Sequence, residues 1–332
     1  MTRVQQSKDH AQQRVLLVGE ALVDLIEEGD GRYLPCLGGS VFNVGLALAR
    51  LQVSPVYLNR FSEDHWGQSF AGRALGEGLL LSPLGSSALP TSLAVVRVGP
   101  NGQPEYSFYR EGVADRDWLA GDLLSEVRAS PEDVLHTGGL ALLPEDWPKL
   151  RGLLEAWRGA GGLISVDVNV RMVAAGHPEG YAQAVCEAAS WADFLKVSDE
   201  DLVALGALTP SASAGAALSA FGHWLERCQA APSIAVLTRG GEQGWCVSRG
   251  SSALAYQPEE VADVVDTVGA GDCFWAAWLA GLRRLRALHT GAHHLEDLRQ
   301  ALVWACKAAG HNIRHRGCHP ITEAELFKEG VE

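Results

Sequence analysis

Short apolar runs typical of β-strands alternate with amphipathic helical segments along most of this chain. We predict strands at residues 15–19, 55–59, 133–136, 163–169, 194–197 and 234–238. We predict helices at residues 41–51, 147–157, 181–191, 214–227, 274–285 and 295–309. Because parallel strands need crossover connections, which are usually helices, this alternation predicts an α/β fold with a doubly wound, mostly parallel central sheet and helices on both faces.

Two stretches interrupt this alternation, at about residues 22–37 and 90–113. Both contain strand-like pieces with no helix between them, and the tetrapeptide Gly99-Pro100-Asn101-Gly102 within the second is typical of a hairpin turn. We predict that these pieces form a small β-sheet lid on one domain that spans residues 14–325. The polar residues 1–13 are predicted to be a disordered tail.

The composition excludes several classes of partner. The chain has 332 residues and a formal net charge of −13, which argues against nucleic acid and anionic membranes as partners. No apolar run approaches the ~20 residues that cross a bilayer, and the polar start lacks the apolar core of a signal peptide. The seven cysteines are dispersed and form no CxxC pair, so we expect reduced thiols and a cytoplasmic protein.

The strongest chemical motif is Asp-Thr-Val-Gly-Ala-Gly-Asp at residues 266–272, just before a predicted apolar helix. Gly269, Ala270 and Gly271 allow a tight turn with uncovered amides, and the positive end of the helix points at the same place. This combination predicts an anion hole. Asp272 beside it would suit a base that takes a proton from a hydroxyl attacking a phosphoryl group. The alternative is a simple aspartate cap of the helix.

A second motif, Gly-Gly-Ser-Val-Phe-Asn at residues 38–43, precedes another predicted helix. The glycine pair Gly38 and Gly39 allows close approach of the backbone to a ligand, and Asn43 offers both a donor and an acceptor. This pattern suits a polyol. The alternative is a flexible loop before a core helix, with Asn43 as a local cap.

These two motifs resemble the two signatures of the ribokinase-like (PfkB) carbohydrate kinases, and the resemblance runs from about residue 15 to about residue 322. Residues 106–116 and 135–142 are most similar to the fructokinase branch. The pattern D-x-N-x-R at residues 167–171 is found in fructokinases and in 2-keto-3-deoxygluconate kinases. The fold that the resemblance implies is the doubly wound α/β domain with a β lid, which often forms a homodimer.

The resemblance also implies roles for individual residues. Asp272 would be the catalytic base, Arg171 would lie near the reacting end, and Asp266 with Thr267 would shape a K⁺ site. The anion hole for the γ-phosphate would be formed by Gly269, Ala270 and Gly271. The residues implied in sugar binding are Asp24, Gly38, Gly39, Asn43 and, from the lid, Phe108 and Arg110. Two of these roles have an alternative that involves no ligand. For Arg171 it is a surface ion pair at a strand end, and for Asp24 it is a polar residue at the point where the chain leaves an edge strand.

The match to the family's nucleotide-binding motifs is less regular. Residues 236–244 resemble the family's T-x-G-x-x-G, which cradles the nucleotide. Near Lys196, serine and aspartate stand where the family usually has asparagine and glutamate, so Asp201 is the candidate for binding Mg²⁺ through water. The residues implied in nucleotide binding are Lys196, Ser198, Thr238, Gly240, Gly244, Gly269, Gly271 and Asn312, the last in the adenine pocket.

The implied activity is ATP-dependent phosphorylation of a primary hydroxyl of a free sugar, with fructose to fructose 6-phosphate as the first choice. ATP, Mg²⁺ and K⁺ are the implied cofactors, and the implied partners are the sugar, ATP and a second copy of the chain. One alternative is a 2-keto-3-deoxygluconate kinase. A more distant one is a catalytically silent sugar- or nucleotide-binding regulator on the same fold.

A group of histidines near the C-terminus has spacings that a metal ion could use. The group comprises His311, His315 and His319, with Cys318 beside them. From the sequence we interpret it as a solvated loop and helix end.

Overall fold

The computed structural model describes residues 13–98, 104–127, 129–131 and 133–327. The predicted disordered tail therefore lies outside the described residues except for Gln13, whose amide donates a hydrogen bond to the Leu288 carbonyl at 3.0 Å. The predicted hairpin turn at residues 99–102 also lies outside them. Among the described residues, no helix is long and apolar enough to cross a membrane.

The described part contains strands and helices in regular alternation after its first third. The strands are β1 (Val15–Leu17), β2 (Leu22–Gly29), β3 (Arg32–Gly38), β4 (Val56–Tyr57), β5 (Ser92–Val98), β6 (Pro104–Tyr109), β7 (Val134–Gly138), β8 (Leu163–Asp167), β9 (Phe194–Ser198), β10 (Ile234–Thr238), β11 (Gly244–Ser248) and β12 (Leu254–Tyr256). The helices are α1 (Ser40–Arg50), α2 (His65–Glu77), α3 (Ala120–Glu126), α4 (Trp147–Gly159), α5 (Pro178–Trp191), α6 (Asp199–Ala204), α7 (Ala214–Arg227), α8 (Ala270–Arg284), α9 (Leu295–Asn312) and α10 (Glu323–Leu326).

The larger sheet has the strand order β12-β11-β10-β9-β8-β7-β1-β4. All pairings from β4 to β10 are parallel, and only β11 and β12 are added antiparallel at one edge. This confirms the predicted α/β class with a mostly parallel sheet. The antiparallel edge is an addition that the sequence analysis did not predict.

Both faces of this sheet are buried, as a parallel sheet requires. Along β1 and the residue that follows it, Val15 and Leu17 belong to one apolar cluster, whereas Leu16 and Val18 belong to the other. The first cluster contains the inner faces of α1, α8 and α9, and the second contains those of α4, α5 and α7. The central strands are therefore covered by helices on both sides, and their carboxyl ends remain for ligands.

A second sheet has the order β3-β2-β5-β6. It is built from the two stretches that interrupt the β–α alternation, so the predicted second sheet is confirmed. β2 pairs antiparallel with β3 and parallel with β5, and β5 pairs antiparallel with β6. The β2–β3 hairpin leads directly into α1, which ties this sheet to the first turn of that helix.

The structure corrects two local predictions. Helix α8 begins at Ala270 rather than at residue 274, so Asp272 lies within its first turn. The strand predicted over residues 163–169 ends at Asp167, because Asn169 adopts a left-handed conformation with φ 39°.

The cysteine prediction was also wrong at one place. Cys186, on α5, and Cys228, which follows α7, form a disulfide, although all seven cysteines were expected to be reduced. The two positions are 42 residues apart in sequence. Their proximity depends on how the helices pack on the sheet, which cysteine spacing does not reveal.

Candidate active site

The amino-terminal ends of α1 and α8 meet at one carboxylate. Asp272 accepts a hydrogen bond on Oδ1 from the Ser40 hydroxyl at 2.7 Å. It accepts another on Oδ2 from Asn43 Nδ2 at 2.8 Å. Both donors lie in the first turn of α1, so the two predicted motifs lie together in the fold. Each carboxylate oxygen keeps a further lone pair that can accept a hydrogen bond from a substrate hydroxyl.

The environment of Asp272 raises the basicity of its carboxylate. The side chain is 8% exposed, and this burial raises its pKa above the ordinary value. The hydrogen bonds from Asn43 and Ser40 oppose the rise because they favour the ionised form. The charges of Lys196 and Arg171 act in the same direction as those hydrogen bonds. Asp272 is therefore an oriented carboxylate suited to accept a proton.

The loop before α8 depends on glycine and on a fixed aspartate. Gly269 has φ 79°, and a Cβ there would lie 2.9 Å from Cβ of Cys318. Asp266 accepts hydrogen bonds from the amides of Val268 at 3.0 Å and Gly317 at 2.8 Å. These contacts hold the loop against the segment that follows α9.

Within the described residues, the amides of Gly271 and Asp272 have no hydrogen-bond partner. This is the usual state of the first turn of a helix, and it leaves two donors at its positive end. The amide of Ala270 differs, because it donates to the Thr267 carbonyl at 3.2 Å. In this conformation the amides of Gly271 and Asp272 are the donors available to the predicted anion hole, whereas the Ala270 amide is used inside the loop.

A buried ion pair lies beneath this helix end. Lys196 Nζ donates to both oxygens of Asp167, at 2.8 and 2.9 Å. The two side chains are 6% and 1% exposed, and they come from the neighbouring strands β9 and β8. A Cβ on Gly271 would lie 3.3 Å from Lys196 Nζ. The ammonium therefore lies next to the free amides, and its third proton is available for an anion.

The second sheet brings Asp24 against the glycine pair. A Cβ on Gly38 would lie 2.5 Å from Oδ2 of Asp24, and one on Gly39, which has φ 108°, would lie 2.4 Å from the Glu20 carbonyl oxygen. Only glycine leaves room for these two approaches. Burial raises the pKa of Asp24 to about 6, and the positive charge of Arg171 opposes this rise.

Glu20 is a buried acid whose role the sequence analysis missed. Its Oε1 accepts a hydrogen bond from the Ser40 amide at 3.1 Å, whereas Oε2 is buried without a partner among the described residues. Burial raises the pKa of Glu20 to about 7, and Arg110 opposes the rise. Oδ1 of Asn43 is also buried and without a described partner. Unpaired buried acceptors are costly, so both atoms are suited to receive ligand hydroxyls.

The two predicted lid residues take different positions. Arg110 is 8% exposed and forms an ion pair with Asp115 at 3.3 Å. Its Nη1 also donates to the Leu140 carbonyl at 3.4 Å. Phe108 is half-buried on β6 and stacks with Tyr106 at a centroid distance of 5.9 Å. Their predicted contacts with sugar stay predictions.

Arg171 follows the left-handed turn at Asn169. Its amide donates to the Tyr181 hydroxyl at 3.2 Å, and its guanidinium donates to the Val170 carbonyl at 3.0 Å. The side chain forms no ion pair with any described residue, so the surface ion pair considered from the sequence is not observed there. Its positive charge opposes the rise in the pKa of Asp24 that burial causes.

Ser198 and Asp201 form a reciprocal cap at the start of α6. The Ser198 hydroxyl accepts from the Asp201 amide at 3.0 Å, and Asp201 Oδ2 accepts from the Ser198 amide at 2.7 Å. Oδ1 of Asp201 accepts from the Val170 amide at 2.7 Å, and the residue is 4% exposed. In this conformation the pair orders the ends of β8 and β9, and the predicted Mg²⁺ contact of Asp201 stays a prediction.

Asn312 is fully buried and holds the loop at residues 266–269 before α8, which we call the anion loop. Its Nδ2 donates to the Val268 carbonyl at 2.7 Å, and its Oδ1 accepts from the His319 amide at 2.7 Å. The Cys273 thiol donates to the same oxygen at 3.3 Å. Asn312 is 0% exposed, so in this conformation its side chain positions the loop, and its predicted contact with the nucleotide stays a prediction.

The remaining predicted nucleotide residues lie where β10 ends and β11 begins. Thr238 pairs in register with Ser198 of β9, so both lie at the carboxyl edge of the sheet. Gly240 is exposed with φ 54°. A Cβ on Gly244 would lie 2.6 Å from the Leu237 carbonyl oxygen, which gives this glycine a packing role in the sheet.

Fold and site together define a class of protein, namely doubly wound α/β enzymes that bring a hydroxyl and an anionic group together at a helix amino terminus. The chain belongs to the pfkB family of carbohydrate kinases, because the family's sequence model, described as "pfkB family carbohydrate kinase", matches residues 12–325. It is therefore a sugar kinase, and the family predicted from the motifs is confirmed.

Individual relatives agree with this assignment. The chain is 31% identical to a fructokinase of Rhizobium leguminosarum bv. trifolii over 273 residues, which cover 81% of this chain and 79% of that protein. It is similar in fold to fructokinase of Xylella fastidiosa with bound ATP, with a TM-score of 0.78, 21% identity and coverage of 95% and 97%. It is also similar to fructokinase of Vibrio cholerae O395 bound to fructose, ADP and calcium, with a TM-score of 0.74, 23% identity and coverage of 92% and 94%.

Proposed function

We propose that this protein transfers the γ-phosphoryl group of ATP to the primary C6 hydroxyl of free fructose, which yields fructose 6-phosphate and ADP. The observation that carries the proposal is the Asp272 carboxylate, held by Ser40 and Asn43 beside free amides of α8. The fructokinase relative supports fructose as the sugar, and the neighbour with bound ATP supports ATP as the donor.

The residues act mainly by positioning the reactants and by stabilising charge. Asp272 accepts a hydrogen bond from the sugar hydroxyl and takes its proton as the new O–P bond forms and the bond to the ADP oxygen breaks. The amide of Gly271 and the ammonium of Lys196 stabilise the negative charge on the transferred group. Arg171 lies on the sugar side, where its guanidinium can bind the phosphoryl oxygens from the opposite direction.

The metal ions belong to the same proposal. Mg²⁺ supplies positive charge to the nucleotide phosphates when it is bound with ATP. Both oxygens of Asp201 already accept amide hydrogen bonds, so its water-mediated contact with Mg²⁺ would need only the remaining lone pairs. For K⁺, the candidate ligands are Asp266 and Thr267, whose oxygens line the loop before α8. We assign no step of the reaction to either ion.

The second sheet supports the proposal of a lid that also forms a dimer. Ile26 and Tyr106 are each 38% exposed, and they share one face of this sheet because both lie opposite Val96 in register. A second copy of the chain packed on this sheet would bury them. A cytoplasmic location, where ATP is available, completes the proposal.

The test of the proposed function is a coupled assay with ATP and Mg²⁺ against fructose, 2-keto-3-deoxygluconate, ribose, glucose, mannose and adenosine. We expect the highest kcat/KM with fructose. Activity confined to the keto acid would overturn fructose and favour the alternative kinase. Absence of phosphorylation of every sugar, with sugar or ATP still bound, would favour the silent regulator.

We predict that Arg171→Ala lowers kcat by about 10- to 100-fold, because a charge-assisted contact made in the transition state is lost. The variant should fold normally, since the side chain is exposed. Arg299→Ala, which removes an exposed guanidinium on α9, is the matched control. Steady-state kinetics with fructose would contradict the assigned role if the two variants behaved alike.

We predict that fructose affinity falls as the pH drops below about 6. The pKa of Asp24 is about 6, so the carboxylate becomes protonated there and can no longer accept two hydrogen bonds from sugar hydroxyls. Titration calorimetry with fructose between about pH 5 and 8 measures this directly. In Asp24→Asn the affinity should be about 10- to 100-fold weaker at pH 8, and this pH step should disappear. Persistence of the same step in Asp24→Asn would assign it to another group.

A further inference from the structure

Three imidazoles form a compact cluster at the carboxyl end of α9. His311 lies in the last turn of the helix, and His315 and His319 follow in the next segment. Their ring centroids are 4.7 Å (His311 to His315), 5.8 Å (His311 to His319) and 4.2 Å (His315 to His319) apart. One ring nitrogen from each lies within 4.8 Å of the other two. Among the described residues, no other group of three or more His, Cys, Asp or Glu side chains could hold a metal ion in this way.

The backbone fixes the tautomer of the central histidine. Nδ1 of His315 lies 3.0 Å from the His311 carbonyl oxygen. A carbonyl can only accept, so Nδ1 carries the proton and Nε2 keeps a free lone pair. A hydrogen bond of this kind to the non-coordinating nitrogen is the usual way in which proteins orient a metal-binding histidine.

The segment that carries the cluster is tied down from two other helices. Arg50 of α1 donates to the Pro320 carbonyl at 2.7 Å. Arg73 of α2 donates to the Cys318 carbonyl at 2.8 Å. The His319 amide also donates to Oδ1 of Asn312 at 2.7 Å. The backbone is therefore fixed in place, and metal binding would need to move only the rings.

We propose that His311, His315 and His319 bind one divalent transition-metal ion of the Zn²⁺ class, with water at the fourth position. Three neutral imidazoles suit Zn²⁺, Cu²⁺ and Ni²⁺, whereas Mg²⁺ and Ca²⁺ prefer oxygen ligands. The site is therefore chemically distinct from any that holds the magnesium of an ATP complex. This proposal differs from the sequence interpretation of a solvated loop and helix end.

The rings must move closer together to surround an ion. Zn–N distances of about 2.0–2.1 Å in a tetrahedron correspond to nitrogens about 3.4 Å apart. The ring nitrogens now lie up to 4.8 Å apart, so the two most distant nitrogens must approach each other by about 1.4 Å. His319 is exposed and His315 is half-buried, so rotation of their side chains can supply this shift without a change of the backbone.

The site is joined directly to the anion loop. Gly317, between two of the histidines, donates its amide to Asp266 at 2.8 Å. Asn312, next to His311, donates to the Val268 carbonyl at 2.7 Å. A metal ion would cross-link the end of α9 to the segment that holds this loop. We therefore expect bound metal to raise the thermal stability of the folded chain.

The test uses the full chain without a histidine tag, stripped of metal with a chelator and titrated with Zn²⁺ at about pH 8, where unperturbed histidine is neutral. We expect one high-affinity ion per chain and a rise in Tm on binding. His319→Gln removes the most exposed ligand and should weaken binding by at least about 10-fold. His223→Gln, an exposed histidine on α7, should bind Zn²⁺ as the unchanged protein does.

Co²⁺ gives a spectroscopic measure that does not depend on kinase activity. The unchanged protein should show the intense visible absorption of tetrahedral Co²⁺, and His319→Gln should lose it. Equal Zn²⁺ affinity in the unchanged protein and in His319→Gln would overturn the site. Lack of saturable Zn²⁺ binding by the unchanged protein would overturn it as well.

Discussion

Replacing Asp272 with asparagine lowers kcat by about 100- to 10,000-fold, whereas fructose affinity changes little. The amide cannot accept the hydroxyl proton, and a positioned general base contributes a factor of this size. The side chain keeps nearly the same shape between Ser40 and Asn43, so the fold should persist. Steady-state kinetics and fructose titration of the purified variant measure the two quantities separately.

Two controls make this result specific to the carboxylate. Asp263→Asn removes an exposed acid from the segment before the anion loop and should leave kcat unchanged. Asp272→Ala removes the hydrogen bonds to α1 as well, and we expect a loss of kcat at least as large. If Asp272→Asn kept a tenth of the activity, the base would have to be another residue.

Replacing Lys196 with methionine destabilises the protein and weakens ATP binding. Asp167 is 1% exposed, and both of its oxygens bind Lys196. Breaking a buried ion pair by removing one partner costs about 3–5 kcal/mol in the free energy of unfolding, because the other charge is left uncompensated. Loss of the ammonium beside Gly271 should also raise the KM for ATP by about 10-fold or more.

The double variant Lys196→Met with Asp167→Asn separates these two effects. It removes both charges, so most of the lost unfolding free energy should return, as is common when a buried pair is replaced as a unit. The KM for ATP should stay high because the ammonium is still missing. Urea unfolding and ATP kinetics of the unchanged protein and of these two variants measure this. Recovery of the KM together with the stability would reduce Lys196 to a structural residue.

Much of the fold could be predicted from the spacing of apolar residues and from the turn-forming residues between the segments. The buried strands β7, β8, β9 and β10 are short segments rich in apolar residues, and the helices between them have regular apolar stripes. Helix α2 was missed because its apolar stripe is weak, although Asp64 caps it by accepting from the Gly67 amide at 2.8 Å. The short edge strand β12 was missed because only its pairing with β11 defines it.

The site was predictable where a motif carries the chemistry in its own residues. The glycine-rich loop and Asp272 required no knowledge of the fold. Ser40 and Glu20 were missed, since their roles arise only when α1 and α8 meet. Ser40 had one local signal, a hydroxyl directly after the glycine pair and before a helix.

The position of Asn312 depends on long-range packing. The family resemblance implied that Asn312 contacts the adenine, and in this conformation its side chain turns inward and donates to the Val268 carbonyl. The histidine cluster shows the same limit, because only His311 lies in α9, and His315 and His319 join it through the path of the segment after the helix.

The most direct test of the account is a crystal structure of the protein with fructose and a non-hydrolysable ATP analogue. We predict that a primary hydroxyl oxygen of the sugar lies within about 3.2 Å of an Asp272 carboxylate oxygen. A terminal phosphate oxygen should lie within about 3.2 Å of the Gly271 amide nitrogen. A closed complex in which that carboxylate points away from the sugar, or in which the phosphate lies far from this helix end, would contradict the account.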